Sequence, residues 1–331
     1  MGPVGLYAFH TTAPRPPQVG HSGALEEPLP LQSTQPTQPL PSAGLTRALL
    51  AVLLTIVPPL LPAPAAAAPT LPAPLPMAVP AAQASVPAQG AMGAITYRFD
   101  AGLGAEDAAL IRDAVAQAQR TFGDAGPITV MAGASHTHSG GDGDVLGDAG
   151  PGEITLYTAA WRDEPADVRR SVVLHEYYHT LQTHLARSLE VEYDEDYKPS
   201  DEDVDYEGPR WLVEGTAVYA AARAMDAAGL VPYAKERGLR LELAAETTTT
   251  LKALETTAQT ERSPDKDAHY TLGFFAAELL ARSVPNDPYL RAYWTALGDG
   301  LPYDRAFRRA FGLTPDEFYA HFEAHRRNGY R

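Results

Sequence analysis

Cysteine is missing from this chain of 331 residues. Without thiols the protein forms no disulfide, no thiolate metal site and no cysteine nucleophile. This absence does not argue against export from the cell. It means that the fold must be held together by its apolar core.

Basic residues are scarce, because 26 lysines and arginines stand against 41 aspartates and glutamates, for a formal net charge of −15. Such acidity argues against nucleic acid and against anionic membrane surfaces as partners. Long apolar runs are lacking as well. The run at 48–57 is far shorter than the roughly 20 residues of a membrane-spanning helix, and Pro58 and Pro59 end it. We therefore expect no stable membrane span.

Proline is spread unevenly, since residues 1–94 hold 19 of the 30 prolines. Such a stretch buries too little apolar surface to offset its ordering entropy, so it is not predicted to be a domain. Inside it, Arg47 precedes the apolar run and a stretch of small residues, which is the pattern of a secretory signal. Cleavage after Ala66 or Ala67 fits this pattern. The region divides into a disordered Pro-rich segment 1–44, a signal-like segment 45–67 and a Pro/Ala-rich linker 68–94. We expect a secreted or cell-envelope protein, with a low-complexity tail as the alternative.

The chemistry of the chain centres on H-E-x-x-H, formed by His175, Glu176 and His179. Residues four apart lie on one face of a helix, so the two histidines can point both imidazoles at one ion. Glu176 is offset by one residue, where it can reach a water on that ion. Residues 163–165 supply a capping acid and an early proline, and no Gly or Pro interrupts 166–189, which predicts a helix. This is the arrangement of zinc peptidases, and a surface helix with solvated histidines is the alternative.

A second helix is predicted over 211–225, after Gly208 and Pro209. Glu214 is its only acid and stands among Trp, Leu, Val and Tyr residues. A carboxylate on an apolar face costs free energy unless it is paired or bound to a metal. Glu214 is therefore the candidate third ligand of a His/His/Glu site with an open position. The alternative is an acid that the helix dipole favours near the N-terminus.

Together the stretches H-E-Y-Y-H-T-L-Q and W-L-V-E-G-T-A-V-Y resemble the gluzincin metallopeptidases, the thermolysin-like and aminopeptidase-like clan. The resemblance implies that His175, His179 and Glu214 bind Zn2+ and that Glu176 is the general base. Glu214 follows His179 by 35 residues, which is longer than in thermolysin-like enzymes. Val218 stands where those enzymes carry an aspartate that supports a ligand histidine, so that support must come from elsewhere.

The C-terminal part, 209–331, has a mainly helical pattern and resembles the helical half of aminopeptidase-like gluzincins. In those enzymes a tyrosine opposite the zinc donates a hydrogen bond to the developing oxyanion. The resemblance implies this role for Tyr270, with His269 as the alternative donor. Residues 268–280 predict an amphipathic helix, and residues 314–317 form a capping box that begins the last helix.

An acidic insertion, 190–208, separates the two site helices, and its residues 190–207 include ten acids and one lysine. We interpret it as a solvated loop. The alternatives are a Ca2+ site or a filter that favours basic substrates. Asp201 or Glu202 could also supply the third zinc ligand, but we prefer Glu214 because its neighbours pack and theirs do not.

Three strands are predicted before the active helix, at 94–99, 127–131 and 153–158. Residues 106–122 predict a helix that ends at Gly123. The segment 133–152 is rich in glycine and aspartate and contains His136 and His138, which predicts a solvated loop, with a Ca2+ site as the alternative. In gluzincins the strand in the place of 153–158 borders the cleft, so a substrate would pair with it as an added strand.

These elements predict an α+β, zincin-like fold, in which a small mixed β-sheet subdomain packs on the H-E-x-x-H helix and a mainly α-helical subdomain follows. One domain is expected over 95–331, built from the sheet and active helix in 95–189, the insertion and the helical part. The expected function is a secreted zinc-dependent peptidase that acts on peptides or proteins. One alternative is a catalytically inactive envelope protein of zincin fold that binds peptides, and another is a zinc hydrolase of a non-peptide amide.

Because signal segments stand at the start of a chain, we predict that residues 1–44 come from a mis-set start codon and that translation begins near Leu45. Mass spectrometry of the secreted protein should find peptides that begin after Ala66 or Ala67 and none from residues 1–40. A peptide from residues 1–40 in native material would show that this prediction is wrong.

Overall fold

The computed structural model describes five segments of the chain, which are residues 8–10, 93–133, 145–188, 203–265 and 267–331. Several sequence predictions lie outside the described residues and stay predictions. They concern the signal-like segment 45–67, most of the linker, His136 and His138, and the acids Asp201 and Glu202.

Short strands come first in the described part of the chain, and helices follow. The strands are β1 (Ala8–His10), β2 (Ile95–Phe99), β3 (Ile128–Gly133), β4 (Val145–Gly150) and β5 (Glu153–Tyr157). The helices are α1 (Ala105–Phe122), α2 (Thr158–Trp161), α3 (Ala166–Ala186), α4 (Arg210–Ala227), α5 (Tyr233–Glu246), α6 (Thr257–Arg262), α7 (Ala268–Ser283), α8 (Arg291–Gly298), α9 (Tyr303–Phe311) and α10 (Pro315–Arg327). Within these described residues, no helix combines the length and apolar character needed to cross a membrane.

Four strands form a mixed sheet in the order β4-β5-β3-β2, and the short β1 pairs with the other edge of β4. β2, β3 and β5 are parallel, with Thr129 opposite Glu153. β4 runs antiparallel to β5, with Ala149 opposite Ile154. Parallel neighbours need a crossover, and α1 supplies it between β2 and β3. A small mixed sheet followed by a mainly helical part confirms the predicted α+β class.

The predicted loop 133–152 is wrong in its second half, because Val145–Gly150 forms β4. The chain reverses just after it, with Gly152 at a φ of 71°, so that β4 pairs with β5. Glycine and aspartate have low strand propensity, and the strand forms because it pairs with β5 and buries Val145 and Leu146. The prediction that β5 borders the cleft is also wrong, since β5 lies between β4 and β3 while β4 packs on α3.

α3 lies at the centre of the fold and is buried over its residues 172–182. It packs against α1, β4, α4 and α8. A helix surrounded in this way has no solvated face, so its polar side chains need partners or a function. Pro165 is the N-cap, so the predicted capping acids, Asp163 and Glu164, do not occupy that position. The helix ends at Ala186, short of the predicted residue 189, where Arg187 adopts a φ of 54°.

α4 and α7 cross with their backbones in contact at Gly215 and Gly273. A Cβ added at Gly215 would lie 2.2 Å from the carbonyl carbon of Gly273, and one added at Gly273 would lie 2.4 Å from the Trp211 oxygen. No side chain fits into this crossing. The contact therefore brings Glu214, which precedes Gly215, and Tyr270, one turn before Gly273, into one region of the protein.

The last helix packs against the start of α4. The predicted capping box of α10 is confirmed, because the Glu317 amide donates to Thr314 Oγ1 at 3.3 Å and the Thr314 amide donates to Glu317 Oε2 at 2.8 Å. Trp211 stacks on Phe318 with ring centroids 5.6 Å apart. Its indole Nε1 donates to the Tyr319 hydroxyl at 3.2 Å. These contacts fix the first turn of α4, which leads into Glu214, against α10.

We expect Gly215→Ala to lower the free energy of unfolding by about 1–3 kcal/mol, because its methyl group overpacks the crossing of α4 and α7. Gly238→Ala is the matched control, since Gly238 also lies inside a helix but a Cβ added there meets nothing within 4 Å. The control should be stabilising by about 0.5–1 kcal/mol. Urea denaturation followed by circular dichroism measures both variants, and equal effects would contradict the close crossing.

Candidate metal centre

Three side chains from α3 and α4 converge on one point. The Nε2 atoms of His175 and His179 are 2.9 Å apart. Glu214 Oε2 lies 3.4 Å from His175 Nε2 and 3.3 Å from His179 Nε2. None of the three side chains is more than 2% exposed. The structure thus brings together the three residues that the sequence predicts as metal ligands.

The spacing of these atoms fits a small divalent cation. Ligands at about 2.0–2.1 Å around a tetrahedral ion lie about 3.3–3.4 Å from one another. Both distances to Glu214 agree with that value, and the distance between the imidazole nitrogens is shorter. Two nitrogens and one carboxylate oxygen are the donor set of a catalytic zinc site that keeps a fourth position open.

Glu176 also lies near the imidazoles, since one of its oxygens and a ring nitrogen of each histidine are all within 4.8 Å of one another. Geometry alone therefore offers two carboxylates as the third ligand. We assign Glu214, because its Oε2 is within 3.4 Å of both Nε2 atoms. Glu176 then stands beside the ligands, where the sequence predicts the general base.

The protonation states of the site suit a cation. Burial, and after it the neighbouring His179, lowers the pKa of His175 to about 4, so its imidazole is neutral at pH 7. Burial alone would raise the pKa of the Glu214 carboxyl. Charged and polar neighbours, Arg210 first among them, outweigh burial and hold that pKa well below its usual range. Glu214 is therefore an anion that faces the uncharged imidazole of His175.

The Glu176 carboxyl is buried with neither oxygen hydrogen-bonded in the described part of the chain. β4 lies directly against it, since a Cβ added at Gly147 would be 3.0 Å from Glu176 Cγ. Burial, followed by the charges of Asp148 and Glu214, raises the pKa of Glu176 well above its usual range. A carboxyl without hydrogen bonds destabilises the fold, so its presence points to a chemical use.

Gln182 provides the support for a ligand histidine that Val218 cannot provide. Its Oε1 lies 2.6 Å from His179 Nδ1, and its Nε2 donates to the Val213 oxygen at 2.9 Å and to Thr216 Oγ1 at 2.8 Å. The amide nitrogen is occupied as a donor, so Oε1 must accept from an Nδ1–H. His179 is thereby held as the tautomer whose Nε2 lone pair faces Glu214 and His175.

Tyr270 enters the site from α7. Its ring is buried, and its centroid lies 6.3 Å from that of His175. Burial, and after it the charge of Glu214, raises the pKa of Tyr270 well above its usual range, so the phenol stays protonated and can donate. His269, the alternative donor, packs on Tyr270 with a centroid distance of 4.1 Å.

Sequence reasoning missed three contributors to the site, which are Arg210, Gln182 and the β4 residues at 147–148. Two of them had a local signal. Arg210 precedes Glu214 by four residues and Gln182 follows His179 by three, and both spacings place side chains together on a helix. β4 had no such signal, because its approach to Glu176 depends on the pairing of the sheet.

The described residues provide no support for the Ca2+ sites that the sequence offers as alternatives. In the described part of the chain, the His, Asp and Glu side chains spaced to hold a metal are those around His175 and His179, with Glu176 or Glu214 as the carboxylate. In the described end of the acidic insertion, Glu207 accepts from Ser188 Oγ at 2.5 Å. Residues 134–144 and 189–202, where both Ca2+ alternatives mainly fall, lie outside the described residues.

We expect Gln182→Leu to weaken Zn2+ binding by roughly 10- to 100-fold, because His179 loses the partner that fixes its tautomer. Gln117→Leu is the matched control, since Gln117 is also buried and hydrogen-bonded, but its partners are the Ala224 oxygen at 3.1 Å and Arg170 Nη1 at 3.0 Å rather than a histidine. Competition with a chromophoric chelator measures the affinity of each variant. Wild-type affinity in Gln182→Leu would contradict the role of this amide.

The arrangement as a whole offers a cation two imidazoles and one carboxylate, beside a protonated phenol and a second carboxyl that none of the described residues hydrogen-bonds. The case for a metal site rests on the geometry of these residues and on the resemblance of the two sequence stretches to gluzincin motifs. No family model matches the chain, and a search of curated proteins finds no match.

Proposed function

We propose that this protein is a secreted, zinc-dependent peptidase. One observation carries the proposal, which is the convergence of His175 Nε2, His179 Nε2 and Glu214 Oε2 within 3.4 Å of one another, next to the Glu176 carboxyl. Zn2+ is the ion that this donor set and spacing favour, because nitrogen and carboxylate ligands in a tetrahedron with an open position suit it.

The reaction needs a base, an acid and a stabiliser of negative charge. A bound zinc ion supplies Lewis acidity, which polarises a carbonyl and lowers the pKa of a coordinated water to about 7. Glu176 accepts the proton of the attacking water and passes it to the leaving amine. The buried setting of Glu176 makes its carboxylate more basic and suits it to this task. Tyr270 donates a hydrogen bond to the oxyanion that develops at the carbonyl.

The choice of peptide bonds as substrate rests on the resemblance of both site helices to gluzincins. Export rests on the signal-like segment 45–67, which lies outside the described residues. A binding protein that retained only the shell of such a site would have no need of Glu176. The buried carboxyl of Glu176, which accepts no hydrogen bond from any residue that the structure describes, therefore favours catalysis over peptide binding alone.

Glu176→Ala should retain Zn2+ but lose roughly 10²–10⁴-fold in turnover, because the ligands remain and the base is gone. His175→Ala should lose both the metal and the activity. Glu106→Gln, an exposed acid in the first turn of α1, is the control and should match the wild type. Zinc content by plasma mass spectrometry and cleavage of a fluorogenic peptide, with and without chelator, measure these effects.

Each outcome of that experiment has a separate meaning. Wild-type cleavage by Glu176→Ala would show that Glu176 is not the base. A protein that holds zinc but cleaves neither casein nor peptides would instead be a peptide binder or an amidase, and a panel of non-peptide amides would distinguish those two. A protein without zinc affinity would contradict the proposal altogether.

A further inference from the structure

The two oxygens of the Glu214 carboxylate have different partners. Oε2 faces the imidazoles, 3.4 Å from His175 Nε2 and 3.3 Å from His179 Nε2. Oε1 is 3.0 Å from Nη2 of Arg210, four residues earlier on the same helix. A carboxylate can bind a cation through one oxygen or through both. In this chain Oε1 of Glu214 is already paired with the Arg210 guanidinium, so only Oε2 faces the imidazoles.

Arg210 stands at an unfavourable place for a cation. It is the first residue of α4, where the helix dipole is positive, and the first turn contains no acid. Its side chain is only 14% exposed, so the charge is also largely desolvated. The backbone fixes its position, because Pro209 is the N-cap and the Arg210 amide donates to the Glu255 oxygen at 2.7 Å. An arginine in such a place is better explained by the carboxylate that it contacts than by helix stability.

We propose that Arg210 is a positioning residue that restricts Glu214 to a single coordinating oxygen and thereby keeps the fourth position of the cation open. This inference rests on the proposed function. If Oε1 were free, the carboxylate could turn and occupy a further position on the ion. Arg210 opposes that rotation, since the rotation would break a buried ion pair. The role belongs to an arginine rather than to an apolar residue because only a donor can hold Oε1.

Cobalt substitution distinguishes this role from a merely structural ion pair. Co2+ absorbs strongly in the visible range when four-coordinate and several-fold more weakly when its coordination number rises. The full-length Co2+ protein should show the strong bands, and Arg210→Met should lose several-fold of their intensity. Arg210→Lys, which retains a donor, should recover them. Cleavage of a fluorogenic peptide by the zinc form of Arg210→Met should fall roughly 10- to 100-fold.

Arg237→Met is the matched control. Arg237 also pairs with a buried glutamate, since its Nε lies 2.9 Å from Glu278 Oε1, but neither residue belongs to the metal centre. This variant should lose stability and leave the cobalt spectrum of the wild type unchanged. If Arg210→Met kept the wild-type spectrum and activity, Arg210 would be only a structural partner of Glu214.

A measurement on the wild type alone covers the case in which Arg210→Met fails to fold. X-ray absorption at the zinc edge or a crystal structure of the zinc protein should find one oxygen of Glu214 on the ion and the other on Arg210. Binding through both oxygens would overturn the inference while leaving the proposed function intact. A wild-type protein that binds neither Zn2+ nor Co2+ would overturn both.

Discussion

The convergence of two α3 imidazoles and the Glu214 carboxylate of α4 governs how the surrounding helices are arranged. Within α3, one helical turn is enough to align His175 and His179. Glu214 reaches them only because α4 is held against α3 and α7. The bare backbone contact at Gly215 and Gly273 allows α7 to approach, and α7 carries Tyr270 to the same place.

The two buried glutamates of the site, Glu214 and Glu176, have different surroundings, and the difference matches the roles proposed for them. Glu214 is paired with Arg210 at 3.0 Å, so the fold stabilises it as an anion. Glu176 is equally buried, yet none of the described residues hydrogen-bonds its carboxyl, and its pKa is raised, first by burial. A carboxylate ligand must stay ionised, whereas a general base must change its protonation state. The ion pair keeps Glu214 ionised, whereas burial favours proton uptake by Glu176. Each environment therefore suits the role proposed for that glutamate.

Local patterns predicted much of the fold. The helices of the site, the capping box of α10 and the sheet-then-helix order could be recognised because each depends on residues a few positions apart. β4 could not be, since Gly147 and Asp148 interrupt the alternation of a strand and their place is set by pairing with β5. For the same reason the border of the cleft was assigned to β5, although β5 has a strand on both sides.

The candidate ligands can be read from the amino-acid sequence, which has two histidines one helical turn apart, a neighbouring glutamate and no cysteine to compete with them. The tertiary structure alone decided which atoms meet. It placed Glu214 closer to both imidazoles than Glu176, brought the Gln182 amide to His179, and packed β4 against Glu176. The physical reason is that helical spacing is a local property, whereas these distances depend on how separate elements pack around α3.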